Sequence, residues 1–172
     1  MKELAHSLYN SSYLTGEFVL RSGETSQQYF DKYQFEANPI LLNQIALELV
    51  KLIPTETELL AGLEMGGIPV VTMLSHHSGI PCVFVRKTAK QYGTAKLAEG
   101  PQFEGKRVTI VEDVVSSGGQ IALSAEDLRS RGAIVTDAIC VIDRQSSGAD
   151  ALSRSGLSLI ALFKMDQLLP TE

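Results

Sequence analysis

Apolar residues recur along this chain in two rhythms, and the switches between them mark out its elements. Leu4 and Leu8 stand four apart in a polar segment, which predicts a short amphipathic helix over residues 2–10. Residues 18–20 and 28–33 flank the turn-rich run Ser22-Gly23-Glu24-Thr25-Ser26, the pattern of an antiparallel hairpin. Pro39, followed by Ile40, Leu41, Ile45, Leu49 and Leu52, predicts a helix over 39–52. Continuous apolar runs predict buried strands at 59–63, 81–85, 107–112, 134–142 and 157–163. Helical patterns separate them at 68–78, 119–131 and 149–155, the last two closed by Gly132 and Gly156. Residues 88–104 are polar, glycine-bearing and without period, so they predict a mobile loop.

Strand and helix alternating through short connections imply an α/β fold, a mostly parallel sheet flanked by helices on both faces. Ligands in such sheets bind beyond the C-terminal ends of the strands. Four segments with chemistry in them fall at such ends: residues 64–67, 86–90, 112–119 and 143–145.

The third of these is the most telling. Val108, Thr109, Ile110 and Val111 form the strand, and Glu112 and Asp113 end it. Val114 and Val115 lead into Ser116, Ser117, Gly118 and Gly119, where a helix begins. The free N–H groups and the dipole of a helix N-terminus attract phosphate. Serine hydroxyls add hydrogen bonds, and glycines let the backbone come close. Carboxylates one step back accept hydrogen bonds from sugar hydroxyls, so the segment suits a sugar 5-phosphate. It is neither a Walker loop nor a dinucleotide fingerprint.

Composition narrows the picture further. At 172 residues the chain is read as one domain with a substantial core. A net charge of -5 argues against a general nucleic-acid binder, though not against phosphate ligands. No apolar run is long enough to span a membrane, and the N-terminus lacks a signal-peptide core, which points to the cytoplasm. Cys82 and Cys140 lie in apolar runs and read as buried reduced thiols. The three His residues have no metal-ligand spacing.

Other constellations remain open in isolation. Gly66 and Gly67 serve turn geometry or turn backbone N–H groups toward a pyrophosphate. Arg86, Lys87, Lys90 and Lys96 form a solvated basic surface or neutralise a leaving pyrophosphate. Arg21, Tyr29, Phe30, Asp31 and Lys32 cluster near the hairpin, where aromatics and a cation would cover a flat ring or simply pack. Arg144 makes a surface ion pair or holds a substrate carboxylate bidentately.

The acid pair followed by Ser-Ser-Gly resembles the 5-phosphoribosyl pyrophosphate (PRPP) signature of type I phosphoribosyltransferases. With VLRSGETSQQYFDKYQFEANP, LLAGLEMGGIP, VFVRKTAKQYGTAKLAEGP and TDAICVIDRQSSGADAL, the whole chain is similar to the orotate phosphoribosyltransferases. That resemblance implies Mg²⁺-dependent transfer of phosphoribosyl from PRPP to orotate, giving orotidine 5′-monophosphate and pyrophosphate. It implies hood elements over about 1–38, a PRPP-binding core over about 39–172, and a homodimer whose loop 88–104 closes over the partner's site.

By position, Glu112 and Asp113 would bind ribose hydroxyls, and Val115, Ser116, Ser117, Gly118 and Gly119 would cradle the 5-phosphate. Glu64, Met65, Gly66 and Gly67 would line the pyrophosphate. Arg86, Lys87, Lys90 and Lys96 would bind it too, with Lys90 the catalytic candidate beside Glu112 and Asp113. Arg144, Arg21, Tyr29, Phe30 and Ser116 would hold orotate. No protein metal ligand is implied, since Mg²⁺ would be held mainly by PRPP and water.

The chain departs from the family at Tyr92, where many relatives have His, at Gly66, where some have Lys, and in its shorter length. A phosphoribosyltransferase for another base, and a non-catalytic nucleotide-binding regulator, are the alternative readings.

Overall fold

In a computed structural model of the chain, the residues described are 1–20, 23–87, 97–144 and 148–168. The helix α1 (Lys2–Ser12) opens the chain and runs directly into a hairpin, β1 (Tyr13–Val19) and β2 (Thr25–Phe30). These two strands pair antiparallel, with Tyr13 opposite Phe30, and form a sheet of their own. Strand β1 therefore starts five residues earlier than the pattern predicts. Strand β2 also stops short of the expected Tyr33. Asp31 is the reason: its carboxylate accepts the Tyr33 N–H at 3.1 Å and the Gln34 side-chain amide at 2.9 Å. That arrangement turns the chain into a single helical turn, α2 (Tyr33–Glu36), which the sequence pattern did not predict.

Helix α3 (Pro39–Leu49) begins where predicted because Asn38 caps it, accepting the N–H groups of Ile40 and Leu41 at 3.1 Å each. A short 3₁₀ turn, Val50–Leu52, finishes the segment. Then come β3 (Leu59–Leu63), α4 (Gly67–Ser78), β4 (Cys82–Val85) and β5 (Ala98–Glu99). The two residues of β5 lie inside the stretch predicted to be loop throughout, and they pair antiparallel with β4. Next are β6 (Arg107–Val115), α5 (Gly119–Ser130), β7 (Ile134–Asp143), α6 (Gly148–Arg154) and β8 (Ser158–Lys164). Helix α5 ends at an Arg131 cap, with Gly132 following at φ 89°.

The six strands stand in the order β5-β4-β3-β6-β7-β8, all parallel except β5. The expected mostly parallel sheet flanked by helices is thus present. Strand β3 is buried at every position and alternates its side chains between two cores. Leu59, Ala61 and Leu63 join Ile121, Ala125 and Leu128 of α5 and Leu152 of α6. Leu60 joins Leu41, Ile45 and Leu49 of α3, Val70, Val71 and Leu74 of α4, and also Leu8 and Phe35. Cys140 is buried, whereas Cys82 is partly exposed; both are free thiols. Among the described residues, no helix is long and apolar enough to cross a membrane.

The order of strands fixes where a ligand can sit. From β3 the chain moves outward through α4 to β4, and from β6 it moves the other way through α5 to β7. Helices leave the two central strands in opposite senses, which opens a crevice at their C-terminal ends.

Candidate functional site

A cavity of about 540 Å³ fills that crevice. One wall is the turn Ser116, Ser117, Gly118 and Gly119 at the start of α5. Gly118 adopts φ 72°, a left-handed conformation that glycine takes without steric cost, and no side chain caps the helix. The first N–H groups of α5 are thus left for an anion. Glu64 and Met65, beyond β3, form the opposite wall, and the Glu64–Met65 peptide is cis. Glu64 Oε1 accepts the Lys87 N–H at 2.6 Å, so the ends of β3 and β4 are tied together beside the cavity. Lys87, Glu112 and Val115 also line it.

The glycines of the second turn serve close approach rather than an unusual φ. A Cβ on Gly67 would lie 2.5 Å from the Val111 carbonyl oxygen. A Cβ on Gly66 would lie 1.7 Å from Asp113 Oδ2 and 2.7 Å from Glu36 Oε1. Helix α4 can start this close to β6 only because both positions lack a side chain.

The two acids of the signature part company. Strand β6 does not end at residue 112, as the pattern predicts, but runs on to Val115. Successive side chains of a strand point to opposite faces. Glu112 accordingly lines the cavity, while Asp113 turns to the α4 side and is fully buried. There Oδ1 accepts the Val114 N–H, and Oδ2 pairs with the Lys32 ammonium at 2.5 Å. Glu36 lies against the same carboxylate.

Three carboxyls packed around one ammonium cannot all stay ionised. Burial, and then the hydrogen bond and charge of Asp113, push Glu36 up to about 9. Burial and Asp113 likewise push Glu112 well above the usual carboxylate range. Burial works against the charge of Asp113 too, but hydrogen bonds from Glu112, Glu36 and Lys32 outweigh it and bring Asp113 down to about 2. Glu36 Oε1 finds no donor among the described residues, so a proton on Glu36 is what completes its contact with Asp113.

Of the residues singled out from the sequence, Glu64, Met65, Lys87, Glu112, Val115, Ser116, Ser117, Gly118 and Gly119 come together around the cavity. Gly66 and Gly67 stand behind it. Arg86 lies outside the lining, with its Nε 3.6 Å from Glu99 Oε1. Arg144 is exposed, and its N–H donates to the Val115 carbonyl at 2.9 Å. Tyr29 stacks on Phe18 in the hairpin with ring centres 5.4 Å apart, and Phe30 packs on the core. Neither ring reaches the cavity. Arg21, Lys90, Tyr92, Lys96 and Gln145 lie outside the described residues.

Sequence reasoning placed Lys32 only in the hairpin cluster and missed Tyr33, Glu36 and Gln120. Lys32, Tyr33 and Gln120 line the cavity, and Glu36 is buried behind it. One signal was available: an acid in the run Phe35-Glu36-Ala37, where a solvated glutamate has no reason to be buried.

Comparison with known proteins adds the family. A family profile described as phosphoribosyl transferase domain matches residues 32–158. The orotate phosphoribosyltransferase of Nocardioides sp. is 51% identical over 146 residues, 85% of this chain and 82% of that protein. The orotate phosphoribosyltransferase of Methanocella arvoryzae is 43% identical over 154 residues, 90% of this chain and 88% of that protein. Among solved structures, the orotate phosphoribosyltransferase of Mycobacterium tuberculosis H37Rv in complex with Fe(III) dicitrate aligns with a TM-score of 0.88 at 28% identity, covering 97% of each chain. The same enzyme in complex with PRPP aligns with a TM-score of 0.83 at 25% identity, again over 97% of each.

Proposed function

The chain belongs to the orotate phosphoribosyltransferases, within the phosphoribosyl transferase domain family, and on that premise we propose that it transfers the phosphoribosyl group of PRPP to orotate, releasing pyrophosphate and forming orotidine 5′-monophosphate. The observation that carries this reading is the cavity at the switch between β3 and β6, bounded by the uncapped start of α5 and by Glu112.

The roles follow from the chemistry of each wall. Ser116, Ser117 and the first N–H groups of α5, with Val115, Gly118 and Gly119 shaping the turn, take the 5-phosphate. Glu112 accepts hydrogen bonds from the ribose hydroxyls. As the bond to pyrophosphate breaks, positive charge develops on the ribose, and the carboxyl oxygens of Glu112 face it with their lone pairs. Glu64, Met65, Gly66 and Gly67 border the pyrophosphate, and Lys87 offset its charge together with Arg86, Lys90 and Lys96. Asp113 stands one layer back and acts through the groups it holds.

Orotate is an anionic planar base. Arg144 and Arg21 are assigned to it, with Ser116 beside the bond that forms; the Tyr29 and Phe30 rings, packed on Phe18 and on the core, stay outside this assignment. In this reading residues 1–38 form a hood over the core at 39–172, and the enzyme is a cytoplasmic homodimer in which loop 88–104 of one subunit covers the site of the other.

Mg²⁺ fits this cavity as an ion that arrives with its substrate. Glu64 and Glu112 present oxygens to the space where it would sit. When bound, the ion neutralises phosphate charge as pyrophosphate departs.

The test is direct. Purified protein with Mg²⁺ and PRPP is expected to consume orotate, followed by absorbance, and to leave hypoxanthine, adenine and uracil unchanged. Equal or faster turnover of a neutral base would overturn the assignment to orotate.

A further inference from the structure

Lys32 has a position that no role described so far uses. Its side chain is 33% exposed on the cavity wall, yet its ammonium lies 2.5 Å from Oδ2 of Asp113, which is 1% exposed. That same oxygen lies 1.7 Å from the place where a Cβ on Gly66 would stand. The ammonium therefore sits beside the vacant side-chain position of the second turn. No side chain of position 66 can project there, because Asp113 and Glu36 already fill the space.

Charge decides what the ammonium is for. Among the described residues the cavity wall carries two acids, Glu64 and Glu112, and two cations, Lys32 and Lys87. PRPP is a polyanion, and the wall attracts it only where its cations face the ligand. Without Lys32 the described wall would keep Lys87 as its single cation.

We propose that Lys32 is a phosphate-binding cation of the PRPP site, held at rest by Asp113, and that it exchanges part of its contact with Asp113 for a pyrophosphate oxygen when PRPP binds. This inference rests on the reading of the cavity as a PRPP site. Lys32 touches the ligand, whereas Asp113 and Glu36 are positioning residues. The division of labour among them follows from charge. A second ionised carboxylate at Glu36 would hold the ammonium too firmly to be shared. With the proton kept on Glu36, Asp113 presents a single charge, and Lys32 can divide its three donors between that carboxylate and the ligand.

Calorimetric titration of the full chain with Mg²⁺-PRPP, without orotate, tests this. Wild-type protein is expected to bind; if it does not, the reading of the cavity itself fails. Lys32→Ala is expected to weaken PRPP about ten- to a hundredfold, the scale of a lost charge-assisted hydrogen bond. Its KM for orotate is expected to change little, and Lys32→Arg to recover most of the binding. Asp113→Asn is expected to reproduce the loss, and the two changes together to cost no more than either alone, as for residues that act as one unit. Folded Lys32→Ala that binds PRPP like wild type, beside a wild type that binds it, overturns this inference alone. Lys32→Ala strands a buried carboxylate, so Lys32→Met with Asp113→Asn is made as well, a neutral pair that leaves no charge unpaired. That double variant is expected to fold and to bind PRPP weakly. Normal PRPP binding by it, or failure to fold, would make the cluster purely structural and overturn the proposal.

Discussion

Replacing Gly66 by alanine puts the tightest contact behind the site to the test. The added methyl would lie 1.7 Å from Asp113 Oδ2, 2.5 Å from its Cγ and 2.7 Å from Glu36 Oε1. Non-bonded atoms need about 3.5–4.0 Å, so the Asp113 carboxylate would have to retreat by roughly 2 Å. It has nowhere to go: it is fully buried, its Oδ1 is fixed by the Val114 N–H, and its Oδ2 is paired with Lys32. Overpacking alone costs about 1–3 kcal/mol. Fully breaking a buried ion pair costs about 3–5 kcal/mol. Gly66 has helical backbone angles, φ -70° and ψ -28°, so alanine gains at most about 1 kcal/mol of helix preference in return. A net loss of about 2–4 kcal/mol is expected, which lowers Tm by about 4–16 °C in a domain of this size. Thermal unfolding followed by circular dichroism measures it. Gly119→Ala is the control, because its new Cβ would meet only Ser117 Oγ at 3.7 Å, and its Tm is expected to hold. If Gly66→Ala unfolds together with wild type, the two carboxylates do not pack on this glycine, and the account of the acid cluster fails.

Three further outcomes are expected. Glu36 keeps in the fold a proton that the unfolded chain releases at its ordinary value of 4.5, so stability falls as pH rises from there toward about 9. Glu36→Gln carries no such proton, and its Tm relative to wild type is expected to climb between pH 5 and pH 9; a difference that stays flat would show that Glu36 is ionised in the fold. Arg144→Ala is expected to raise KM for orotate by an amount equivalent to about 1.5–3 kcal/mol and KM for PRPP little, and an effect confined to PRPP would remove Arg144 from the base pocket. Lys90→Ala and Glu112→Gln chains are each expected to be nearly inactive; if the loop crosses between subunits, co-expression restores about a quarter of wild-type activity, since half the dimers are mixed and each has one intact site. Mixed dimers without recovered activity would place the loop in its own subunit's site.

The order of elements was legible because it depends on local rules. The apolar runs at β3, β6 and β7 are continuous because both sheet faces are covered, and the helices between them begin and end at residues whose backbone chemistry marks an end, such as Asn38 and Gly132. The serine-glycine turn was legible for the same reason: Ser116, Ser117, Gly118 and Gly119 are adjacent, and their shape depends on backbone close at hand. The hairpin was read less well. Tyr13 and Leu14 carry no alternation that separates strand from helix end, and the Asp31 cap that turns Tyr33 into α2 competes locally with strand extension.

What the sequence determined by itself was therefore the class of fold and the existence of a serine-glycine turn at the end of β6. Only the tertiary structure decided which groups face that turn. Adjacent in sequence, Glu112 and Asp113 read as a pair, but a strand that continues past them sends one carboxyl into the cavity and the other into the layer beneath α4. Lys32, far from Asp113 along the chain, reads only as part of the hairpin cluster, and Glu36 carries no reading, until α2 is laid against the start of α4. Gly66 reads as a turn residue until Asp113 occupies the space of its missing side chain. The physical reason is common to all three. A repeating pattern records which face of its own element a residue occupies, whereas the partner across that face is fixed by how the elements pack, and charge, protonation and close approach depend on the partner.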